Sequence, residues 1–323
     1  MNKIVFLVIV FVSSLSSFSQ TFPPSPGVIG STSIKKDSSI IVAWANGIVL
    51  ERGVMNRANP SAGNASFGEA ENAIKPNEST TFDVVSLGDS GVAVLTFDRA
   101  IRNDVGPDFT VFENGFQDGF IELAFVEVSS DGENFFRFPA VSQAPILVQV
   151  GAFEISDCRY FNNLAGKYRV GYGTPFDLEE LKGTVGLDLS LITHVKLIDV
   201  IGSIDPLIGS KDSQGTMIND LFPTEFASGG FDLDAVGVIH QAPLSVDEFD
   251  LKYSIFPNPT NGLFSIKSEG NGSVRVLDIT GKVVFNQTFS SSVDIDLSSF
   301  ESNCYFVEIS NSTFRKVEKL VKF

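Results

Sequence analysis

Cysteine, histidine and tryptophan are scarce in this sequence, which contains two Cys, two His and one Trp in 323 residues. Cys158 and Cys304 are far apart in the chain and do not suggest the disulfide framework of a small exported domain. With only His194 and His240 beside them, the chain also lacks the closely spaced ligands of a structural zinc site. Both cysteines are therefore interpreted as isolated thiols.

Long apolar runs and sustained helical periodicity are also missing. After residue 12 no segment approaches the roughly eighteen uninterrupted apolar residues that indicate a transmembrane helix, so none is expected in the mature protein. Short apolar segments broken by Gly, Asp, Asn and Pro fill the chain instead. The 30 Phe residues favour sheet cores, because Phe forms strands and packs without a polar group. The sequence therefore predicts an all-β protein.

Positive charge is scarce in the larger part of the chain. Residues 1–251 contain 15 Lys or Arg against 32 Asp or Glu, whereas residues 252–323 contain 8 against 7. An acidic domain repels nucleic-acid phosphates, so a nucleic-acid partner is not expected. The excess of carboxylates is compatible with a solvated surface and with divalent cations.

The N-terminus has the features of a cleavable signal peptide. Lys3 provides a basic start, Ile4–Val12 is a short apolar run, and Ser17 and Ser19 stand at the −3 and −1 places of a cleavage site. This pattern predicts a signal peptide at residues 1–19 and an exported protein.

The C-terminal region, residues 253–323, combines short alternating segments with turn signals. Its motifs are, in chain order, Phe256-Pro257-Asn258-Pro259, Asn261-Gly262, Val276-Leu277-Asp278, Thr280-Gly281-Lys282 and Lys319-Leu320-Val321-Lys322. Together they resemble the type A sorting domain of type IX secretion cargo. One place departs from that family, since Asn303-Cys304-Tyr305 stands where Gly-X-Tyr is usual.

That resemblance implies a small Ig-like β-sandwich that interacts with the type IX secretion machinery. It also implies passage across the outer membrane, so that the protein is secreted or lies on the outer surface of a Gram-negative bacterium. A linker is predicted at residues 244–252, which include the polar stretch Ser245–Asp250.

The central region, residues 20–243, resembles a galactose-binding-like, discoidin-type jelly roll. Glu127–Phe135 is similar to the middle hairpin of that fold, with Asp131-Gly132 as its turn. His194–Leu197 and Asp232–Ile239 are similar to later sheet strands. Gly106–Asn114 and Gly229–Val236 also resemble motifs of a family of secreted bacterial domains with no established activity. The resemblance implies a jelly-roll β-sandwich and no particular function.

Four acidic residues are candidate ligands of a structural calcium ion. Asp232 and Asp234 are two apart, so both point to one face of a predicted strand, where like charges need a cation or a donor. Asp108 and Glu113 flank another predicted strand. Calcium prefers carboxylate, amide and carbonyl oxygens, often on loops. A solvated acidic surface remains the alternative interpretation.

A glycine-rich segment, Gly166–Gly173, is the candidate ligand-binding loop, with Tyr168, Arg169 and Tyr172 as its contact residues. Aromatic and guanidinium groups on a loop are typical of a recognition platform. A rigid connection is the alternative.

Catalytic motifs are missing from the sequence: neither Gly-X-Ser-X-Gly, nor a phosphate-cradling loop, nor His-Glu-X-X-His occurs. The most favoured function is a non-catalytic binding or adhesion module, recognising a glycan or another surface component. Two alternatives stay open. A secreted carbohydrate hydrolase needs only paired carboxylates, which leave no linear signature, and a structural surface component needs no ligand.

Overall fold

The computed structural model describes residues 21–77, 81–243, 253–311 and 315–323, apart from the side chain of residue 269. The chain divides into two compact units, Met1–Pro243 and Leu244–Phe323. The predicted signal peptide (1–19) and the predicted linker (244–252) lie outside the described residues.

Within its described residues the first unit is built from short strands and four 3₁₀ helices. The strands are β1 (Ile34–Lys35), β2 (Ala43–Trp44), β3 (Gly47–Glu51), β4 (Val85–Ser86), β5 (Val92–Ile101), β6 (Phe109–Glu113), β7 (Ala124–Ser129), β8 (Phe136–Arg137), β9 (Val141–Ser142), β10 (Phe161–Asn162), β11 (Leu164–Ala165), β12 (Tyr172–Phe176), β13 (Ile192–Asp199) and β14 (Asp232–Val238). The 3₁₀ helices are Pro60–Ala62, Ala70–Ala73, Cys158–Tyr160 and Leu178–Leu181.

These strands form two main antiparallel sheets. In the first sheet the order is β1-β12-β6-β14-β2, with β4 also paired to β14; in the second it is β11-β7-β13-β5-β3, with β8 paired to β7. A separate two-stranded ladder joins β9 and β10. The prediction of an all-β, sandwich-type protein is confirmed.

The core of the first unit contains apolar side chains from both sheets. On β13, Val195 and Leu197 are fully buried, whereas His194 and Lys196, which alternate with them, are half-exposed. This is the two-residue period of a strand with one covered face. Strands β6, β7 and β14 are buried on both faces, so they lie at the centre of the unit.

The hairpin predicted at Asp131-Gly132 connects β7 to β8. Glu127 pairs with Arg137 across it, and Gly132 has a φ of 78°. The Asp131 carboxylate accepts hydrogen bonds from the backbone N–H groups of Glu133 and Asn134, both at 2.8 Å. An aspartate that bonds to backbone amides ahead of it stabilises a tight turn.

Gly166→Ala is expected to lower the free energy of unfolding by about 2–4 kcal/mol, because two costs combine. Gly166 has a φ of 87°, and an added Cβ would lie 1.8 Å from the carbonyl oxygen of Glu122. Gly183→Ala is the control: its φ is 83°, but nothing lies within 4 Å of the added atom, so only the backbone cost of about 1 kcal/mol applies. Urea unfolding of the two variants measures the difference, and equal costs would contradict the close approach.

The second unit is a single antiparallel sheet with its own apolar core. Its strands are β15 (Tyr253–Phe256), β16 (Leu263–Leu277), β17 (Val283–Asp296), β18 (Cys304–Ser310) and β19 (Arg315–Val321). The order is β15-β16-β18-β19, and β17 pairs with β16. Ile266, Val274, Val307 and Leu320 are fully buried in its core.

Candidate functional site

Three acidic side chains are buried together at one end of the first unit. Strands β6 and β14 are neighbours, with Glu113 opposite Leu233. Asp232 immediately precedes Leu233, and its carboxylate repels that of Glu113. Glu122 precedes β7. The exposed fractions are 1% for Glu113, 5% for Asp232 and 9% for Glu122. We call these three residues the carboxylate cluster.

Other buried aspartates of this unit bind backbone amides. Asp199 accepts from the N–H groups of Phe231 at 2.7 Å and Ser90 at 3.1 Å. Asp220 accepts from Leu123 and Leu221, both at 2.7 Å. A buried carboxylate with two such donors is compensated for its lost hydration. These aspartates therefore hold loops in place.

Asp212 does the same in the long connection between β13 and β14. Its carboxylate accepts from the N–H groups of Ser142 at 2.9 Å, Gln214 at 2.9 Å and Thr216 at 2.8 Å. Three donors leave little acceptor capacity for an ion.

The carboxylate cluster is less completely satisfied. Asp232 accepts from the hydroxyl of Ser86 and, at 3.1 Å, from the side-chain amide of Asn114. Glu113 accepts through Oε2 from the Gly115 N–H at 2.8 Å. Its Oε1 is buried with no hydrogen-bond partner in the described part of the chain. A buried carboxylate oxygen without a donor is costly, which distinguishes Glu113 from the buried aspartates described above.

Burial sets the electrostatics of the cluster. Burial raises the pKa of Asp232 to about 7, although the hydrogen bonds donated by Ser86 and Asn114 act in the opposite direction and lower this pKa. Burial also raises the pKa values of Glu113 and Glu122 well above the usual range, and repulsion by the Asp232 carboxylate adds to both. At neutral pH the cluster is therefore unstable as three bare anions.

One of the four predicted calcium ligands, Asp108, lies away from this cluster. Asp108 and Glu113 flank the five-residue strand β6, which places them about 17 Å apart along the chain. Asp108 instead bonds to His240, and Asp234 bonds to the side-chain amide of Asn77. The four residues do not form one site, because Asp108 and Glu113 lie at opposite ends of β6.

A ready-made metal site is not found either: no three His, Cys, Asp or Glu side chains among the described residues are arranged to hold an ion. An ion at the cluster would thus need backbone or amide oxygens beside the carboxylates, as calcium accepts.

The predicted ligand loop is only partly open. Tyr168 is 2% exposed, and its hydroxyl lies 3.1 Å from that of Thr32. Tyr168 is therefore a core residue, which corrects the interpretation that it contacts a ligand. Arg169 bonds to both carboxylate oxygens of Asp118 at 2.7 and 2.8 Å, and its guanidinium lies 4.7 Å from the ring centre of Tyr172. Of the three predicted contact residues, Arg169 and Tyr172 are partly exposed.

Sequence reasoning missed Glu122. Glu122 is the one acidic residue in the apolar segment from Ile121 to Phe125. Because an unpaired charge is rarely buried, its position in that segment could have indicated a functional carboxylate.

Sequence reasoning also missed a groove on the outward face of the second sheet. Its cavity volume is about 280 Å³, and its lining residues are Ile48, Val49, Val94, Thr96, Gly132, Phe135 and His194. Val49 is 67% exposed, and the amine of Lys196 lies 4.0 Å from the ring centre of Phe135. The groove is largely apolar with a few polar groups, the usual make-up of a small-ligand site.

Solved structures similar to this chain share little sequence with it. A "Biofilm associated protein - BSP domain" has 9% identity and a TM-score of 0.20 over 72% of this chain and 48% of that one. A β-glucuronidase from Ruminococcus gnavus bound to uronic deoxynojirimycin has 11% identity and a TM-score of 0.22, over 86% of this chain and 44% of that one. The chain thus spans about half or less of the structures it matches. Similarity at this level identifies no function.

Sequence comparison identifies a family for the C-terminal unit alone. No curated protein matches the chain. Among the described residues, no helix is long and apolar enough to cross a membrane. Residues 254–322 match the family model described as "Secretion system C-terminal sorting domain". The predicted sorting domain is confirmed, and the chain is a secreted or cell-surface protein that interacts with the type IX secretion machinery.

Proposed function

We propose that the first unit is a non-catalytic binding or adhesion module, displayed at the cell surface and stabilised by a calcium ion at the carboxylate cluster. The observation that carries this proposal is the buried Oε1 of Glu113, which has no hydrogen-bond partner in the described part of the chain. An exported protein meets calcium outside the cell, where weak oxygen-ligand sites are filled.

The chemistry of the cluster suits this ion. Calcium takes six to eight oxygen ligands and tolerates irregular geometry. Glu113 and Asp232 would contribute carboxylate oxygens, with neutral oxygens of the adjoining loops completing the shell. Its charge would relieve the repulsion that raises their pKa values.

The hydrolase alternative draws no support from this cluster. The two carboxyl groups of a glycosidase contact the sugar directly, on either side of the bond that is cleaved. Glu113 is 1% exposed and Glu122 is 9% exposed, so a polysaccharide does not reach them in this conformation.

The groove on the second sheet is the place where the module would contact a glycan. The ring of Phe135 offers an apolar surface for the C–H face of a sugar. The Thr96 hydroxyl and the His194 imidazole supply hydrogen-bonding groups for sugar hydroxyls. Thr96 lies on β5 and His194 on β13, while Phe135 lies in the short β7–β8 connection, so the sheet and its hairpin hold these groups in position.

Phe135→Ala is expected to weaken glycan binding by about tenfold, because loss of an aromatic contact costs roughly 1–1.5 kcal/mol. The measurement is a glycan array with the mature chain in calcium, followed by titration of the best ligand. Phe116→Ala is the control, since Phe116 is a 61% exposed Phe that does not line the groove. An array without binding, in calcium and in chelator, contradicts the glycan proposal and favours the structural surface component.

A further inference from the structure

The side chain of Asn258 joins the two ends of the sorting unit. Its amide nitrogen donates to the carbonyl oxygen of Lys319 at 2.7 Å, and its amide oxygen accepts from the N–H of Val321 at 3.1 Å. Two residues on, Thr260 donates its N–H to the carbonyl oxygen of Val321 at 2.9 Å and accepts from the N–H of Phe323 at 3.0 Å. The first and last motifs of the sorting domain are therefore bonded to each other.

The pattern of these bonds is that of a parallel strand pair. In such a pair one residue bonds to the carbonyl and the N–H that flank its partner, as Thr260 does around Lys322. Pro257 and Pro259 have no N–H and interrupt this ladder. The Asn258 amide replaces the missing peptide group, because it carries both a donor and an acceptor and spans Leu320 in the same way.

The hydrogen bonds of Asn258 and Thr260 hold a segment that has exposed side chains. Leu320 is fully buried in the core of the unit, whereas Phe323 is 69% exposed and Lys319 is exposed. Lys319 pairs with Phe306, which is 42% exposed. The terminal strand thus presents a basic and aromatic surface whose backbone is held from both sides.

We propose that Asn258 is a positioning residue for export, and that the type IX machinery engages the terminal segment Arg315–Phe323, which is β19 and the two residues after it, in the conformation that Asn258 holds. Asn258 acts through that strand and not by contact with the machinery. Its replacement is expected to reduce export by more than its effect on stability explains.

The test uses the full chain in the producing bacterium, with Asn258→Ala and Asn258→Asp as the variants. Aspartate keeps the shape and the acceptor but removes the donor to Lys319. Asn261→Ala is the matched control, because Asn261 is an exposed Asn of the same turn. Val274→Ala is the stability control, since Val274 is fully buried in the same core and the change is expected to lower the unfolding midpoint at least as much.

Two readouts distinguish positioning from plain stability. Both Asn258 variants are expected to accelerate hydrogen exchange in the peptide covering residues 315–323 by about tenfold and to lower the exported fraction several-fold. Asn261→Ala and Val274→Ala are expected to export normally. The proposal is overturned if the Asn258 variants are exported like the parent, or if export falls only in step with the unfolding midpoint across all four variants.

Discussion

Replacing Asp108 with alanine is expected to lower the free energy of unfolding of the first unit by about 3–5 kcal/mol. The carboxylate is fully buried and accepts three hydrogen bonds: from the N–H of Asp104 at 2.9 Å, the N–H of Leu178 at 2.8 Å and the Nδ1 of His240 at 2.7 Å. Alanine would leave all three donors without that acceptor. These contacts tie the loop before β6 to the 3₁₀ helix at Leu178–Leu181 and to the residues after β14.

Urea unfolding of the mature chain measures this loss. Asp188→Ala is the control, because Asp188 is an exposed turn residue that accepts from Ser190 at 2.9 Å and its loss is expected to cost no more than about 1 kcal/mol. If Asp108→Ala were no more destabilising than this control, Asp108 would not be a structural acceptor.

Glu113→Gln is expected to have opposite effects with and without calcium. In chelator at pH 8 the variant should be more stable than the parent, because burial and the Asp232 carboxylate disfavour the ionised form of Glu113, and glutamine has no ionised form. In excess calcium the parent gains binding energy by mass action and the variant does not, so the order of the unfolding midpoints reverses. Glu51→Gln, at an exposed residue, should leave both midpoints unchanged.

The pH dependence without calcium follows from the same groups. A carboxyl whose pKa is higher in the folded state than in the unfolded state binds extra protons when folded, so stability is greatest below the unfolded pKa and falls as pH rises. For Asp232 the pKa is raised from 3.8 to about 7. At about 1.4 kcal/mol per pH unit, Asp232 alone lowers stability by up to about 4 kcal/mol between pH 4 and pH 8.

Other buried carboxyls also lower stability as pH rises. The contribution of the cluster is therefore measured as the difference between the parent and a cluster variant. Burial raises the pKa of Asp220 to about 7 and that of Asp89 to about 6. Unfolding midpoints of the parent and Glu113→Gln at pH 5 and pH 8 in chelator separate these contributions. A steeper fall in the variant than in the parent would contradict the proposed electrostatics.

The fold was predictable where one local rule decides. The sequence assigned His194–Leu197, which lies in β13, to a sheet strand, and Asp131-Gly132 predicted the β7–β8 hairpin. Both signals depend on neighbours in the chain, namely the strand period and the turn residue with positive φ. The sorting domain was predictable because its motifs lie in a fixed order.

The candidate site was predictable only in part, because it depends on which strands are neighbours. The sequence identified Glu113 and Asp232, but it could not show that β6 and β14 pair and bring them together. It grouped Asp108 with them although that residue lies at the opposite end of β6. Tyr168 was misjudged for a similar reason: a Gly-rich segment suggests an exposed loop, while the packing that covers this ring comes from residues distant in the chain.

Calcium binding to the full mature chain is the most direct test of the central claim, that the carboxylate cluster is a cation site. Titration calorimetry of chelator-treated protein is expected to show a single calcium site per chain in the parent and in Glu51→Gln, and none in Glu113→Gln. Absence of calcium binding by the parent, or undiminished binding by Glu113→Gln, would contradict the account and leave the cluster as a set of buried protonated acids.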